Sequence, residues 1–228
     1  MKHKGKARQA GARIVGWTLV VLLAVLVGGV LALLIGSAIT LSAVFLVVFC
    51  AVFALVVLVF FRDPDPRVPA APEAIVAPAH GTVDILDECD EPEFMGGRCR
   101  RISIFLSIFD VHVQKAPVAG TVGWVQYHPG AFLNALNLES AARNENVLIG
   151  FDSRERPGEK VGVRVIAGVI ARRIVPWVAV GEEMARGDRI SLVQFGSRCD
   201  LYLPLTVTPC VKLGDKVSGG ETVVATRA

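Results

Sequence analysis

A chain of 228 residues that is 53% hydrophobic and 20% charged is more apolar than a soluble domain of its size. The excess is local. No Asp, Glu, Lys, Arg or His occurs between Ile14 and Phe61, so the chain is neither a polytopic transporter nor a purely soluble enzyme. The net charge of +3 is local too: Lys2, Lys4, Lys6, Arg8 and Arg13 precede the apolar run, leaving 19 basic against 21 acidic residues beyond it. A nucleic-acid binder carries its positive charge on the folded domain, so nucleic acid is excluded as a partner.

In chain order, residues 1–13 form a basic arm. The apolar stretch 14–61 is about twice the roughly 20 residues needed to cross ~30 Å of hydrocarbon. It reads as a two-helix transmembrane hairpin, with spans at 14–32 and 43–61 and a turn at 36–40. A signal peptide would have a shorter apolar region and a cleavage site. By the positive-inside rule the arm stays in the cytoplasm, and two crossings return the chain to the cytoplasmic face of the cell membrane at Arg62. One long tilted span would instead place the remainder outside.

Pro64 and Pro66 forbid helix continuation and force an extended exit. Residues 62–228 suffice for one domain with its own core. Short β-branched runs at 74–76, 82–86, 101–105, 121–126, 161–175, 189–195 and 200–205 alternate with Gly, Pro and Asp, the pattern of strands and turns. Residues 131–143 are the one soluble helix expected. The fold class is therefore mainly β (α+β), a compact β barrel or sandwich. Pro78-Ala79-His80-Gly81-Thr82-Val83 is echoed by Pro117-Val118-Ala119-Gly120-Thr121-Val122. Together with the G-D and G-G turns in 211–224, this suggests biotinyl/lipoyl-like hammerhead features. No carrier lysine sits in a Met-Lys-Met or Asp-Lys-Ala tip, which disfavours a swinging arm. Cys50, Cys89, Cys99, Cys199 and Cys210 form no metal pattern and read as reduced thiols; a Cys89–Cys99 disulfide is disfavoured in a cytoplasmic domain.

Gly196-Ser197 separates two strand-like runs, and on composition alone it is a plain turn. Its context says more. Phe195-Gly196-Ser197-Arg198 followed by Asp200-Leu201-Tyr202-Leu203-Pro204 resembles the processing site of the phosphatidylserine decarboxylases, above all their short membrane-anchored bacterial and archaeal form. Other segments agree in order: Phe60-Phe61-Arg62-Asp63-Pro64, residues 78–83, the strand motif 102–113 ending in Asp110-Val111-His112-Val113, Asn144-Glu145-Asn146, and 168–175 with Arg172-Arg173.

The resemblance implies a proenzyme that cuts itself between Gly196 and Ser197, giving a β chain (1–196) and an α chain (197–228) that stay together. Ser197 would become a covalent pyruvoyl group, the only cofactor, which takes up the amine of phosphatidylserine in the bilayer and acts as an electron sink for loss of CO₂. The product would be phosphatidylethanolamine, in phospholipid biosynthesis. Gly196 leaves the scissile carbonyl unshielded. His112 matches the family histidine that donates a proton or positions the carboxylate; without the resemblance it reads as a hydrogen-bonded core histidine. His80 stands where the family commonly has aspartate. Either His80 is the base on Ser197, or Asp84 or Asp110 supplies the carboxylate, or the protein matures poorly. Lys115 also departs, standing where relatives carry Arg or the triad histidine. Arg198, Arg172 and Lys115 are candidate binders of the substrate phosphate or carboxylate. Arg172 and Arg173 would face opposite sides of one strand. No metal is implied, and assembly into homo-oligomers stays open. The competing reading is a non-catalytic, membrane-tethered biotinyl/lipoyl-like adaptor, which needs an intact chain.

Overall fold

The computed structural model describes residues 5–33, 36–133, 143–168, 173–193 and 197–227. They divide into two compact units, Gly5–Asp63 and the chain from Pro64 onward. The first unit pairs α1 (Lys6–Leu33) with α2 (Ser37–Phe60), both long and apolar enough to cross a membrane. Two boundaries differ from expectation. Helix α1 already begins at Lys6, and α2 takes in residues 37–40, which sequence had given to the turn. Once Gly36 supplies the reversal with φ 155°, nothing in Ser37-Ala38-Ile39-Thr40 opposes helix. A Cβ on Gly29 would lie 3.4 Å from that of Ala43, so small residues let the helices approach closely.

Beyond Pro64 the described residues form only strands and connections. They are β1 (Ala74–Val76), β2 (Gly81–Glu91), β3 (Gly97–Leu106), β4 (Val113–Lys115), β5 (Gly120–His128), β6 (Asn146–Ser153) and β7 (Lys160–Ala167). There follow β8 (Ile174–Pro176), β9 (Glu183–Met184), β10 (Arg189–Val193), β11 (Ser197–Leu203), β12 (Thr208–Pro209), β13 (Lys216–Val217) and β14 (Val223–Thr226). An antiparallel eight-stranded sheet runs β13-β2-β3-β11-β7-β6-β5-β9, and two three-stranded sheets run β1-β14-β12 and β4-β10-β8. The main core holds Ile102, Ile104 and Leu106 of β3, Val161, Val163 and Val165 of β7, and Cys199, Leu201 and Leu203 of β11. Alternate residues of these strands therefore face the opposite side of the sheet.

The sequence echo is structural. Gly81 and Gly120 open β2 and β5, and a Cβ at either would strike a neighbouring carbonyl oxygen, that of Phe105 or Asp152. A register shift follows each, at Val83/Ile85 and Val122/Trp124. Each is stitched to a distant turn in the same way: Val83 N donates to Asp215 O and Gly214 N to Val83 O, while Val122 N donates to Glu182 O and Gly181 N to Val122 O.

The run 161–175 is not one strand: β7 ends at Ala167 and β8 begins at Ile174, with Arg173 exposed between them. The helix expected at 131–143 lies mostly outside the described residues; at its edge Ala131 pairs with Asn144 in an isolated parallel bridge. The C-terminus is clasped. Arg227 donates to Glu159 Oε1 (2.7 Å), Pro72 O (2.7 Å), Glu155 Oε2 (3.0 Å) and Ser153 Oγ (3.2 Å). Arg186 reaches the same Glu155 and the carbonyls of Pro69 and Ala71. Residues 197–227 are thus held both by the centre of the large sheet and by a charged lock at their far end.

Candidate active site

Ser197 is the first residue of β11, between Leu106 of β3 and Ala167 of β7. Both partners belong to the core, so the serine side chain lies on that face. It is fully buried, and its Oγ has no hydrogen-bond partner among the described residues. A buried hydroxyl left unpaired costs about 1–3 kcal/mol, and its lone pairs are not committed elsewhere. Strand β10 belongs to a small sheet and β11 to the large one, so these two strands do not pair with each other. The turn expected at Gly196-Ser197 lies partly outside the described residues.

Segments distant in sequence meet around β10 and β4. At the end of β10, Val193 N donates to His112 O at 3.1 Å. His112 is 1% exposed, and its Nδ1 lies 2.8 Å from Asp110 O. A carbonyl only accepts, so Nδ1 carries the hydrogen of the neutral ring. Gln114 holds the same peptide, donating from Nε2 to His112 O at 3.0 Å and accepting Ser191 Oγ at 2.8 Å. Lys115, fully buried on β4 opposite Arg189, donates its backbone N–H to Pro78 O at 2.7 Å. That bond draws the segment carrying His80 alongside β4. Gly219 N donates to His80 Nδ1 at 3.2 Å, which puts the hydrogen of the neutral ring on Nε2. His80 directly precedes β2, whose neighbour β3 lies next to β11, so it stands about two strand spacings, ~10 Å, from the serine strand.

The other face of β11 is polar. Arg198, 2% exposed, donates from Nη2 to Asp84 Oδ2 at 2.5 Å. Its Nε and Nη1, and Asp84 Oδ1, are buried without partners. Burial raises the Asp84 carboxyl above its ordinary range, against the lowering pull of Arg198. Asp200, 3% exposed, accepts Ser103 Oγ at 2.5 Å, and burial likewise raises its carboxyl against Ser103 and Arg101. An acid whose folded pKa exceeds its ordinary 3.8 opposes folding once ionised, so Asp200 removes stability as pH rises from about 3.8 through its folded pKa. Asp200→Asn keeps an acceptor for Ser103. In paired denaturant titrations it should match wild type near pH 3.5, gain on it as pH rises, and level off once Asp200 is fully ionised in the folded state. A difference that does not vary with pH would contradict this.

Of the residues singled out in sequence, the fold thus gathers Ser197, His112, Lys115 and the His80 segment at one end of the sheets. Arg198 extends from the opposite face, on Asp84. Gly196 and Arg172 lie outside the described residues. Asp110 accepts both Ser107 N (2.8 Å) and Ser107 Oγ (2.7 Å), closing the turn after β3. Gln114 and Ser191 were not singled out, because a lone Gln or Ser in a strand carries no signal of its own. Cys89 and Cys99 face each other as thiols with sulfurs 3.9 Å apart, and burial pushes Cys99 up to about 12.

Residues 53–225 match the family model described as phosphatidylserine decarboxylase. The chain is 42% identical over 167 residues to the phosphatidylserine decarboxylase proenzyme of Desulfotalea psychrophila, covering 73% of this chain and 77% of that protein. It is 43% identical over 171 residues to that of Symbiobacterium thermophilum (75% and 79%), and 44% identical over 187 residues to that of Erythrobacter litoralis (75% and 73%). With a serine buried at the head of β11 and a histidine tied to the end of β10, this chain belongs to the phosphatidylserine decarboxylase family.

Proposed function

We propose that the protein decarboxylates phosphatidylserine to phosphatidylethanolamine and CO₂ after cutting itself between Gly196 and Ser197. The observation that carries this reading is Ser197 itself, whose buried, unpaired Oγ heads a central strand. In the proposed cut, Oγ attacks the Gly196 carbonyl and the amide nitrogen leaves, forming an ester. Removal of the serine α-proton expels the Gly196 carboxylate and leaves dehydroalanine. Water then replaces its nitrogen, releasing ammonia and leaving a pyruvoyl group. That group fits the position, since it has fewer heavy atoms than the serine residue it replaces and brings no hydrogen-bond donor into the buried site. Bound to the substrate amine, it supplies the electron sink for CO₂ loss.

The chain's own residues then have distinct tasks. His112, its ring oriented by the Nδ1 contact with Asp110 O, delivers the proton that replaces CO₂. Lys115 and Arg172 supply positive charge for the carboxylate or phosphate of the headgroup. Arg198, through Asp84, fixes the strand behind the reacting residue. His80 takes the Ser197 proton during self-cleavage, which requires its contact with Gly219 to give way and a water to relay the proton across the gap to the serine strand. His80→Ala should leave the chain uncut over hours while His80→Asp still matures, as followed by gel electrophoresis; prompt cutting of the alanine variant would move the base elsewhere.

We further read the β unit as a compact barrel with biotinyl/lipoyl-like hammerhead stitching, supported by the paired Gly81 and Gly120 elements. The two N-terminal helices would span the membrane, and the basic N-terminus places the catalytic domain, residues 62–228, on the cytoplasmic side. Protease added to sealed spheroplasts should leave that domain intact; its digestion would reverse the topology. The activity itself is tested by placing the purified protein in vesicles with phosphatidylserine labelled at the serine carboxyl. Labelled CO₂ and phosphatidylethanolamine should form in equal amounts, and release of neither would contradict the proposal.

A further inference from the structure

We propose that the end of the sheet at which Ser197 stands is a membrane-contacting rim, with Ile108 and Phe109 on one side and Phe132 and Leu133 on the other entering the acyl-chain boundary of the bilayer. The inference deepens the decarboxylase reading by stating how a bilayer lipid reaches the buried serine.

Ser197 has one strand partner on each side, and each leads directly to exposed apolar residues. Leu106, on one side, is followed by the turn that Asp110 closes. This turn is fixed by its own side chains, yet it leaves Ile108 47% and Phe109 74% exposed. Phe109 is the most exposed large hydrophobic residue among those described beyond Pro64. Ala167, on the other side, accepts from Asn144 Nδ2 at 2.8 Å. The same nitrogen donates to Leu133 O at 2.8 Å, and Leu133 N donates to Asn144 Oδ1 at 2.9 Å. Asn144 thus fastens 132–133 beside the second flank of the serine, where Phe132 is 40% and Leu133 42% exposed. Arg173 is exposed on this side too, next to Ile174, whose N–H donates to Glu145 Oε1.

Apolar residues scattered singly over a surface need no explanation. Two pairs held by dedicated polar contacts on either flank of one buried serine are a different matter. The occupant follows from the rest of the chain. Helix α2 ends at Phe60, and five residues later Asp65 is held by Arg189 Nη2 at 2.8 Å. Arg189 opens β10, and the far end of that strand, about 13 Å on, binds the His112 peptide. A segment fit to cross a bilayer is therefore joined by a short, pinned link to the strand that leads into the site. Aromatic and aliphatic side chains with a nearby arginine suit an interface rich in anionic lipid.

The test uses the full chain in phosphatidylcholine/phosphatidylglycerol vesicles, with Trp17, Trp124 and Trp177 replaced by Phe and a single reporter from Phe109→Trp. Brominated acyl chains should quench its emission roughly twofold relative to plain chains, given burial of ~5–10 Å for interfacial residues. Leu133→Trp, on the opposite flank, gives a second reading. Emission indifferent to bromination at both positions would overturn the proposal. In parallel, Ile108→Ser/Phe109→Ser should raise KM for vesicle phosphatidylserine about tenfold, since lipid capture and not chemistry is weakened. Self-cleavage and turnover of a soluble short-chain phosphatidylserine should stay within about twofold of wild type. An unchanged vesicle KM would count against the rim. Failure of the wild-type chain to release CO₂ would instead defeat the decarboxylase reading, with the quenching still reporting on the rim.

Discussion

Ser197→Ala should purify as a single uncut chain and release no CO₂ from phosphatidylserine, while folding at least as well as wild type. The first part follows from chemistry: without Oγ no ester forms at Gly196, and without the ester there is no pyruvoyl group. The second follows from packing. The wild-type hydroxyl is fully buried without a partner between Leu106 and Ala167, so its removal relieves an unmet polar group and leaves only a small gap. The variant should therefore unfold cooperatively, at a denaturant midpoint no lower than that of the processed protein. An inactive variant that is also unstable would point to a packing role for the serine. A variant that still releases CO₂ would remove the serine from the chemistry.

Replacement of His112 should separate the two reactions. His112→Gln should still mature into two chains but lose about 10²- to 10⁴-fold in kcat, the usual contribution of a positioned proton donor. KM should change little. The reasoning is geometric: Val193 and Gln114 hold the His112 peptide from two sides, so the backbone survives the substitution, and only the ring's proton exchange is lost. Activity within tenfold of wild type would make His112 a packing residue. Failure to mature would assign it to self-cleavage instead.

The two long apolar helices were legible from composition, because 48 residues without a charge meet a length rule that few other segments meet. The two P-x-x-G-T-V elements were legible for a related reason: Gly81 and Gly120 each face a backbone carbonyl that leaves no room for a Cβ. Strand β6 was not legible. Six of its first residues are buried without a break, so it lacks the alternation that marks a half-exposed strand. The role proposed for 196–197 was hidden for a different reason. A Gly-Ser pair between two strand-like runs looks in composition like any turn, and only the ordered set of family motifs singled it out. Motif resemblance brought forward Ser197 and His112. It could not show that Arg198 extends from the other face onto Asp84, since that depends on strand register. Nor could it show that Gln114 and Ser191 support His112, since their bond joins β4 to β10 across 77 positions.

The most direct test is the mass of the freshly purified wild-type protein under denaturing conditions. The account predicts two chains, 1–196 and 197–228, the second blocked at its amino end and lighter by one ammonia than the same fragment headed by serine. It further predicts that borohydride reduction adds two hydrogens to that fragment alone. An intact chain that nonetheless releases CO₂ from phosphatidylserine, or a fragment from residue 197 with a free serine amine, would contradict it.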